Sequence, residues 1–323
     1  MTRVYDALQK SRNKQVHAVL TAIDDEQAEN NRVLTAVAGS SPQPGVSIPL
    51  AHAESAAGSV RPVEEPPRST FDSVAPAVEY RRVTVHLDSN PLLFPFDGPH
   101  LPAADQYRVL RTNIVHHPAS PSLIVVSSAT PGDGKTLTVI NTAGILARKN
   151  EGNVLIIDGD LRRRSVAPFL GIEEQPGFAD VLQGRCSLDE AIASIDVIPN
   201  LHVLTAGTPS INPAELLDSS ACREILTSLR KRFSYIIVDT APIGVLTDFD
   251  LVQACCDGVI VVVRPDHTDR KLLQDAITYL PADSVLGVVI NAHQNWLFSK
   301  TSTAYAYEYD KSSGEPWHAR RKT

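Results

Sequence analysis

A chain of 323 residues, 43% of them hydrophobic, carries enough apolar material for one large α/β domain or two small ones. Its 37 acidic against 30 basic residues leave a formal net charge of −7, which argues against nucleic acid as a partner because that binding rests on a basic face. Cys186, Cys222, Cys255 and Cys256 show no C-x-x-C spacing, so a metal knuckle or redox pair is not expected and the thiols should be reduced and mostly buried.

In chain order, Val4, Leu8, Val16, Val19, Leu20 and Ile23 fall at mixed helical spacing among charges and predict a short amphipathic helix within an N-terminal region 1–37. From Ala38 the composition turns to Pro, Ser, Gly, Ala and Glu, so 38–100 is expected to be a flexible linker. Arg82–Leu87 alternates like a strand, but Pro91, Pro95, Pro99 and Pro102 then break the pattern, and the ordered domain is expected over 101–296. Its first helix, Ala103–Ile114, sets Asp105, Arg108 and Arg111 broadly on one face, and His116-His117 reads as a helix end.

Strands and helices then alternate: strand Leu123–Ser127, helix Lys135–Lys149, strand Val154–Asp158, helices around Gly177–Gly184 and Leu188–Ile195, and strand Leu201–Thr205. Helix Ala221–Arg232, strands Tyr235–Asp239 and Val259–Val263, helix Arg270–Leu280 and strand Leu286–Ile290 complete the series. Continuous apolar strands separated by helices predict a parallel sheet covered on both faces. The longest apolar run, Val259–Val263, is far below the roughly twenty residues a spanning helix needs, and the opening Met-Thr-Arg-Val-Tyr is no signal peptide, so a cytoplasmic location is expected. Beyond Trp296 periodicity ends, and 297–323 is expected to be a flexible tail.

The chemistry starts at Ala129–Thr136, A-T-P-G-D-G-K-T, which joins an apolar strand to a helix. This is a phosphate-loop pattern with alanine in place of its first glycine. It predicts a cradle in which Pro131, Gly132, Asp133, Gly134, Lys135, Thr136 and Leu137 meet a nucleotide. The backbone N–H groups face the anion, Lys135 reaches the β- and γ-phosphates, and the Thr136 hydroxyl ligates Mg²⁺. The next strand ends Asp158-Gly159-Asp160-Leu161-Arg162-Arg163, putting two carboxylates at the carboxyl edge of the sheet beside the phosphates. One can hold the metal and the other can accept a proton from an incoming hydroxyl. Strand Tyr235–Asp239 ends in the further acid that such a loop requires for its metal shell. Arg162–Arg164 is by default a solvated charge run, although beside phosphates an arginine can steady transferring charge. Asn291, ending the last strand, can read a base edge or simply form a turn. Tyr305, Tyr307 and Tyr309 crowd a tail that cannot bury them, an excess that asks for a purpose.

Taken together, the chain resembles the bacterial tyrosine kinases, cytoplasmic autokinases that pair with membrane regulators of polysaccharide chain length. The resemblance spans about Pro102 to Tyr309. It rests on the loop from Ser128 to Thr136, D-x-D-x-R at Asp158–Arg162, Asp239, the segment Gly177–Leu182 with Gly184, and Gly207–Leu217, where Asn212-Pro213-Ala214-Glu215-Leu216-Leu217 stands. The resemblance implies a phosphate-loop fold and transfer of the γ-phosphoryl of ATP, with Mg²⁺, to tail tyrosines between subunits of a ring. By position, Lys135, Asp158, Asp160 and Asp239 would be catalytic, Thr136, Asp158 and Asp239 would hold Mg²⁺, and Arg162 and Asn291 would contact nucleotide. Tyr305, Tyr307 and Tyr309 would be acceptors, and Asp105, Arg108 and Arg111 would form the ring contact, with Asp105 standing where the family has Glu. Implied partners are a separate integral-membrane activator, which would recruit the chain to the inner face of the plasma membrane, and a phosphotyrosine phosphatase. Implied biology is control of capsule or exopolysaccharide polymerisation and export.

Two other readings stay open at this point. A partitioning or positioning ATPase of the same class carries a second lysine early in the loop, where Thr130 stands here. A nucleotide-dependent adaptor of a membrane polysaccharide regulator needs no catalysis at all.

Overall fold

The computed structural model describes residues 35–37 as backbone, and 80–86, 92–94, 102–148, 152–265, 267–281 and 283–291. The helix expected over Val4–Ile23, most of the expected linker and the tyrosine tail lie outside the described residues. The strands are β1 (Thr35–Val37), β2 (Arg81–Val83), β3 (Leu123–Ser128), β4 (Val154–Asp158), β5 (Ala193–Ile195), β6 (Leu201–Leu204), β7 (Tyr235–Asp239), β8 (Gly258–Val263) and β9 (Val285–Ile290). The helices are α1 (Pro102–Val115), α2 (Lys135–Ala147), α3 (Val166–Leu170), α4 (Phe178–Leu182), α5 (Leu188–Ala191), α6 (Pro213–Leu217), α7 (Ser220–Leu229), α8 (Thr247–Gln253) and α9 (Arg270–Tyr279).

Among the described residues the strands form one sheet in the order β1-β9-β8-β3-β7-β4-β6-β5-β2. From β9 to β6 every neighbouring pair is parallel, while β5 runs antiparallel to β6 and β1 antiparallel to β9. Successive side chains of a strand point to opposite faces, and here both faces are apolar. Leu123, Val125, Leu155, Ile157, Ile236 and Val238 pack with α4, α7, α8 and α9, whereas Ile124, Val126, Ile156 and Ile237 pack with α1 and α2. Burial on both sides is why these strands read as unbroken apolar runs rather than as alternation.

The structure differs from expectation in three ways. The helix expected over Leu188–Ile195 stops at Ala191. Ser187 and Glu190 cap its start reciprocally, with Glu190 N–H donating to Ser187 Oγ at 3.3 Å and Ser187 N–H to Glu190 Oε2 at 2.8 Å, but Ala193 and Ser194 then pair with β6. Second, the sheet unit begins before Leu101. Arg81–Val83 pairs with β5, and Val85, Leu93 and Phe94 are buried. Phe94 N–H donates to Asn141 Oδ1 of α2 at 2.7 Å, and Asn141 Nδ2 donates to Leu92 O at 3.0 Å. Third, β1, α3, α6 and α8 were not foreseen. Of the thiols, Cys222 is buried while Cys186, Cys255 and Cys256 are half-buried, and all four are free. No described helix is long and apolar enough to cross a membrane.

One polar knot ties the sheet at the end away from the phosphate loop. The Asp257 carboxylate accepts the N–H groups of Ser122 and Leu123, each at 2.8 Å, and Arg230 Nη1 at 2.8 Å. Burial opposes its charge, but the hydrogen bonds from Arg230 and the two N–H groups outweigh that and lower its pKa to about 2. A lowered acid pKa adds stability that is present above the unfolded value of 3.8 and disappears as pH falls toward 2. Asp257→Asn should therefore lose about 1–2 kcal/mol at pH 7, with the partial exposure of this pair holding the figure down. The variant should also lack this part of the wild type's acid limb, as urea melts at pH 7, 4 and 2.5 would read.

Candidate active site

The loop from β3 to α2 turns at the carboxyl edge of the sheet with Gly132 and Gly134 at φ +91° and +94°, a region that side chains rarely adopt. A Cβ on Gly134 would also lie 1.9 Å from Asn291 Nδ2, so the Asn291 side chain would have to leave the loop to admit one. Ala129, where the pattern has glycine, is buried in the core. None of the described hydrogen bonds uses the N–H groups of Gly132, Asp133 or Gly134, which stand at the positive end of the 13-residue α2. Free donors on a helix N-terminus are the physical requirement for holding an anion.

Lys135 begins that helix and is almost wholly buried, with Nζ donating to Ser128 Oγ at 3.2 Å. Burial lowers its pKa and the charge of Arg163 adds to that, while Asp239, Asp133 and Asp160 oppose the shift, so this buried cation sits among three carboxylates with Arg163 near by. Thr136 Oγ1 donates to Asp239 Oδ2 at 2.6 Å. The other oxygen, Asp239 Oδ1, is buried and has no hydrogen-bond partner, and burial pushes the acid up to about 6 against the help of Thr136 and Lys135. A buried carboxylate oxygen without a donor is costly unless a cation meets it. Asp158 lies beside Asp239 in register, on the next strand. Its Oδ1 accepts Asp160 N–H at 3.2 Å and its Oδ2 accepts Val166 N–H at 2.9 Å. Burial first, and then the neighbouring Asp239 charge, raise its pKa well above the ordinary range. Asp160 is 7% exposed and accepts Arg163 N–H at 3.0 Å.

The remaining expected residues fall as follows. Pro131 is exposed, and its carbonyl accepts His267 Nε2–H at 2.9 Å; Leu137 is half-buried against the core. Arg162 is taken by an acid that the sequence did not single out: Nε and Nη2 grip the buried Asp248 of α8 at 2.6 and 3.2 Å. The Asn291 side chain is turned to the loop, where Nδ2 donates to Asp133 O at 3.0 Å. Asp105 and Arg108 form an ion pair on an exposed face of α1, and Arg111 is half-exposed one turn further on. Tyr305, Tyr307 and Tyr309 lie outside the described residues.

Sequence reasoning missed Asp248, Arg264, His267 and Thr268. The last three sit in the turn between β8 and α9, which folds over the loop from 135 residues away, and no local pattern announces such a contact.

Two segments singled out by sequence meet at the end of β6. Gly177 and Gly207 press backbone on backbone, so that a Cβ on Gly177 would lie 2.4 Å from Gly207 N. Asp180 Oδ2 accepts the N–H groups of Gly177 at 2.9 Å and Thr208 at 3.1 Å, while Arg185 holds Oδ1 at 2.9 Å. That contact explains why both segments carry glycine and why Asp180 stands between them.

An AAA domain profile matches residues 122–280. The chain is 36% identical over 192 residues to the tyrosine-protein kinase CpsD of Streptococcus pneumoniae, a match that covers 58% of this chain and 84% of that one. It is 31% identical over 192 residues to the tyrosine-protein kinase YwqD of Bacillus subtilis, covering 58% and 80%. Among solved structures the VpsO kinase domain superposes with a TM-score of 0.53 at 32% identity, over 58% of this chain and 92% of that domain. With identity of this level extending over most of such relatives, and a phosphate loop whose lysine, hydroxyl and acids are all in place, the chain is an enzyme of the bacterial tyrosine-protein kinase family.

Proposed function

We propose that this chain transfers the γ-phosphoryl group of ATP to tyrosines of its own kind, with Tyr305, Tyr307 and Tyr309 of one copy presented to the site of another. The observation that carries the reading is the Thr136–Asp239 pair, with its partnerless buried Oδ1, set beside Lys135 and the free loop N–H groups. A hydroxyl and a carboxylate suit a hard divalent cation, so Mg²⁺ would be held by Thr136 and Asp239, with Asp158 behind them. When bound, it supplies charge neutralisation on the phosphate oxygens. Lys135 orients and neutralises the β- and γ-phosphates, and the loop N–H groups hold them in line. Both oxygens of Asp158 accept backbone N–H groups, so it fixes the 158–166 turn. Asp160, the more exposed acid, is the one free to meet an acceptor hydroxyl and take its proton. Because the transition state is loose, positioning and charge outweigh base strength.

Transfer between copies needs reach and a neighbour. Ten residues beyond Trp296 could span at most about 35 Å. The exposed Asp105, Arg108 and Arg111 face supplies a contact for a ring. Recruitment to the membrane would come through a separate integral-membrane activator, a phosphatase would reset the tyrosines, and the cycle would control polymerisation and export of a capsular or extracellular polysaccharide.

The test is incubation with Mg²⁺ and ATP, followed by intact-mass measurement and peptide mapping of the tail. Phosphate on Tyr305, Tyr307 or Tyr309 is expected. ATP hydrolysis with no phosphotyrosine, even after the activator's cytoplasmic segment is added, would overturn the kinase reading in favour of a positioning ATPase.

A further inference from the structure

An acid inside an anion cradle is an electrostatic liability, yet Asp133 stands in the middle of this loop. Its carboxylate is fully buried, and its donors come from two sources. Thr130, itself part of the loop, gives its N–H at 3.1 Å and its hydroxyl at 2.9 Å. Thr268, on the turn after β8, gives its hydroxyl to Oδ1 at 2.7 Å. Only Thr268, of these two, lies outside the loop.

Its hydroxyl is built to donate in that direction. Arg264 N–H donates to Thr268 Oγ1 at 2.9 Å, occupying the oxygen as an acceptor and leaving its own hydrogen for Asp133. The turn is closed by Thr268 N–H to Arg264 O at 2.9 Å and His267 N–H to the same carbonyl at 3.2 Å. It leaves from β8, the strand paired with β3, so the donor is anchored to the sheet next to the strand that carries the loop.

The same turn and the end of β9 also engage three successive loop carbonyls. His267 Nε2 donates to Pro131 O at 2.9 Å, Arg264 Nη1 to Gly132 O at 3.5 Å, and Asn291 Nδ2 to Asp133 O at 3.0 Å. With these carbonyls and the carboxylate engaged, the N–H groups of Gly132, Asp133 and Gly134 are left for the anion, the arrangement that makes an anion-binding nest.

We propose that Thr268 is a positioning residue for the nucleotide: its hydroxyl binds and pins the Asp133 carboxylate, so that the loop presents N–H donors rather than an acid to the phosphates. The proposal rests on the nucleotide reading above and is tested by binding, apart from phosphotransfer. The measurement is calorimetric titration of the full chain with ADP and Mg²⁺. Thr268→Val keeps the shape and removes the hydroxyl, and it should weaken ADP about tenfold, the effect of one hydrogen bond to a charged group. Thr268→Ser should bind within about threefold of wild type. At saturating ATP, Thr268→Val should turn over within about threefold of wild type, so that its loss appears in KM rather than kcat.

The decisive arm is Asp133→Asn. With no anion left to hold, Thr268→Val should cost less than about threefold in that background. Equal losses in both backgrounds, or wild-type affinity in Thr268→Val, would overturn the proposal. Should Thr268→Val fail to fold, Thr268→Ala is carried through the same two backgrounds. A wild type that bound no ADP would overturn the nucleotide reading itself, an outcome distinct from a variant that binds normally.

Discussion

Lys135→Met should abolish tyrosine phosphorylation, a fall of about 10³-fold or more, while leaving the fold intact. Methionine keeps the length and apolar stem that fill the buried Lys135 site and removes only the ammonium group. In the wild type that cation offsets the charges of Asp239, Asp133 and Asp160. Without it, a triphosphate would be brought to three carboxylates that have lost their buried cation, with the exposed Arg163 still near. Charge stabilisation by such a group is typically worth several kcal/mol in a water-poor site. A phosphotyrosine blot, with circular dichroism as the control for folding, reads the result. A single Tyr→Phe change at 305, 307 or 309 should only reduce the signal, since other acceptors remain. Equal loss in Lys135→Met and in a single tail variant would count against transfer to a cluster.

The contrast between these variants also marks what sequence could show. The places of the loop, Asp158, Asp160 and Asp239 were legible because each ends or follows a strand buried on both faces, and such strands are continuous apolar runs whose ends are sharp. Helices α3 and α6 have five residues and α8 has seven, too short for a helical period to register. Strand β2 was partly seen, but its exposed Arg81 and Arg82 and the prolines after it read as the edge of a linker rather than of a sheet. Contacts across the chain were the real blind spot. The resemblance implied a nucleotide contact for Arg162, and what no local pattern announced is that Asp248, 86 residues on, holds its guanidinium. The sequence suggested only the Asp133 N–H as a cradle donor, whereas the Asp133 carboxylate is where Thr268 fastens the loop. Local pattern identifies which groups a site owns, and long-range packing decides which way they point.

Asp239→Asn should carry two effects of opposite sign, and together they separate a metal ligand from a structural acid. The first is loss of Mg²⁺-dependent transfer by about 10³-fold, because Thr136 Oγ1 would keep a partner while the charged oxygen meant for the cation becomes a neutral amide. EDTA should reduce the wild type to the level of the variant and should change the variant little. The second is a gain in thermal stability without metal at pH 7. Burial holds the Asp239 acid near 6 in the folded chain against 3.8 when unfolded. A raised acid pKa means that the folded state prefers the proton, so stability is full below 3.8 and is lost as pH rises through 6. Asparagine has no proton to lose and should escape that loss. In the wild type, Mg²⁺ must displace the same proton, so its apparent affinity should weaken about tenfold for each pH unit below 6 and level off above 7. Thermal melts of both proteins from pH 5 to 8, with and without Mg²⁺, read both signs in one series. A melting temperature for the variant below that of the metal-free wild type at pH 7 would mean that Asp239 holds the fold rather than the ion.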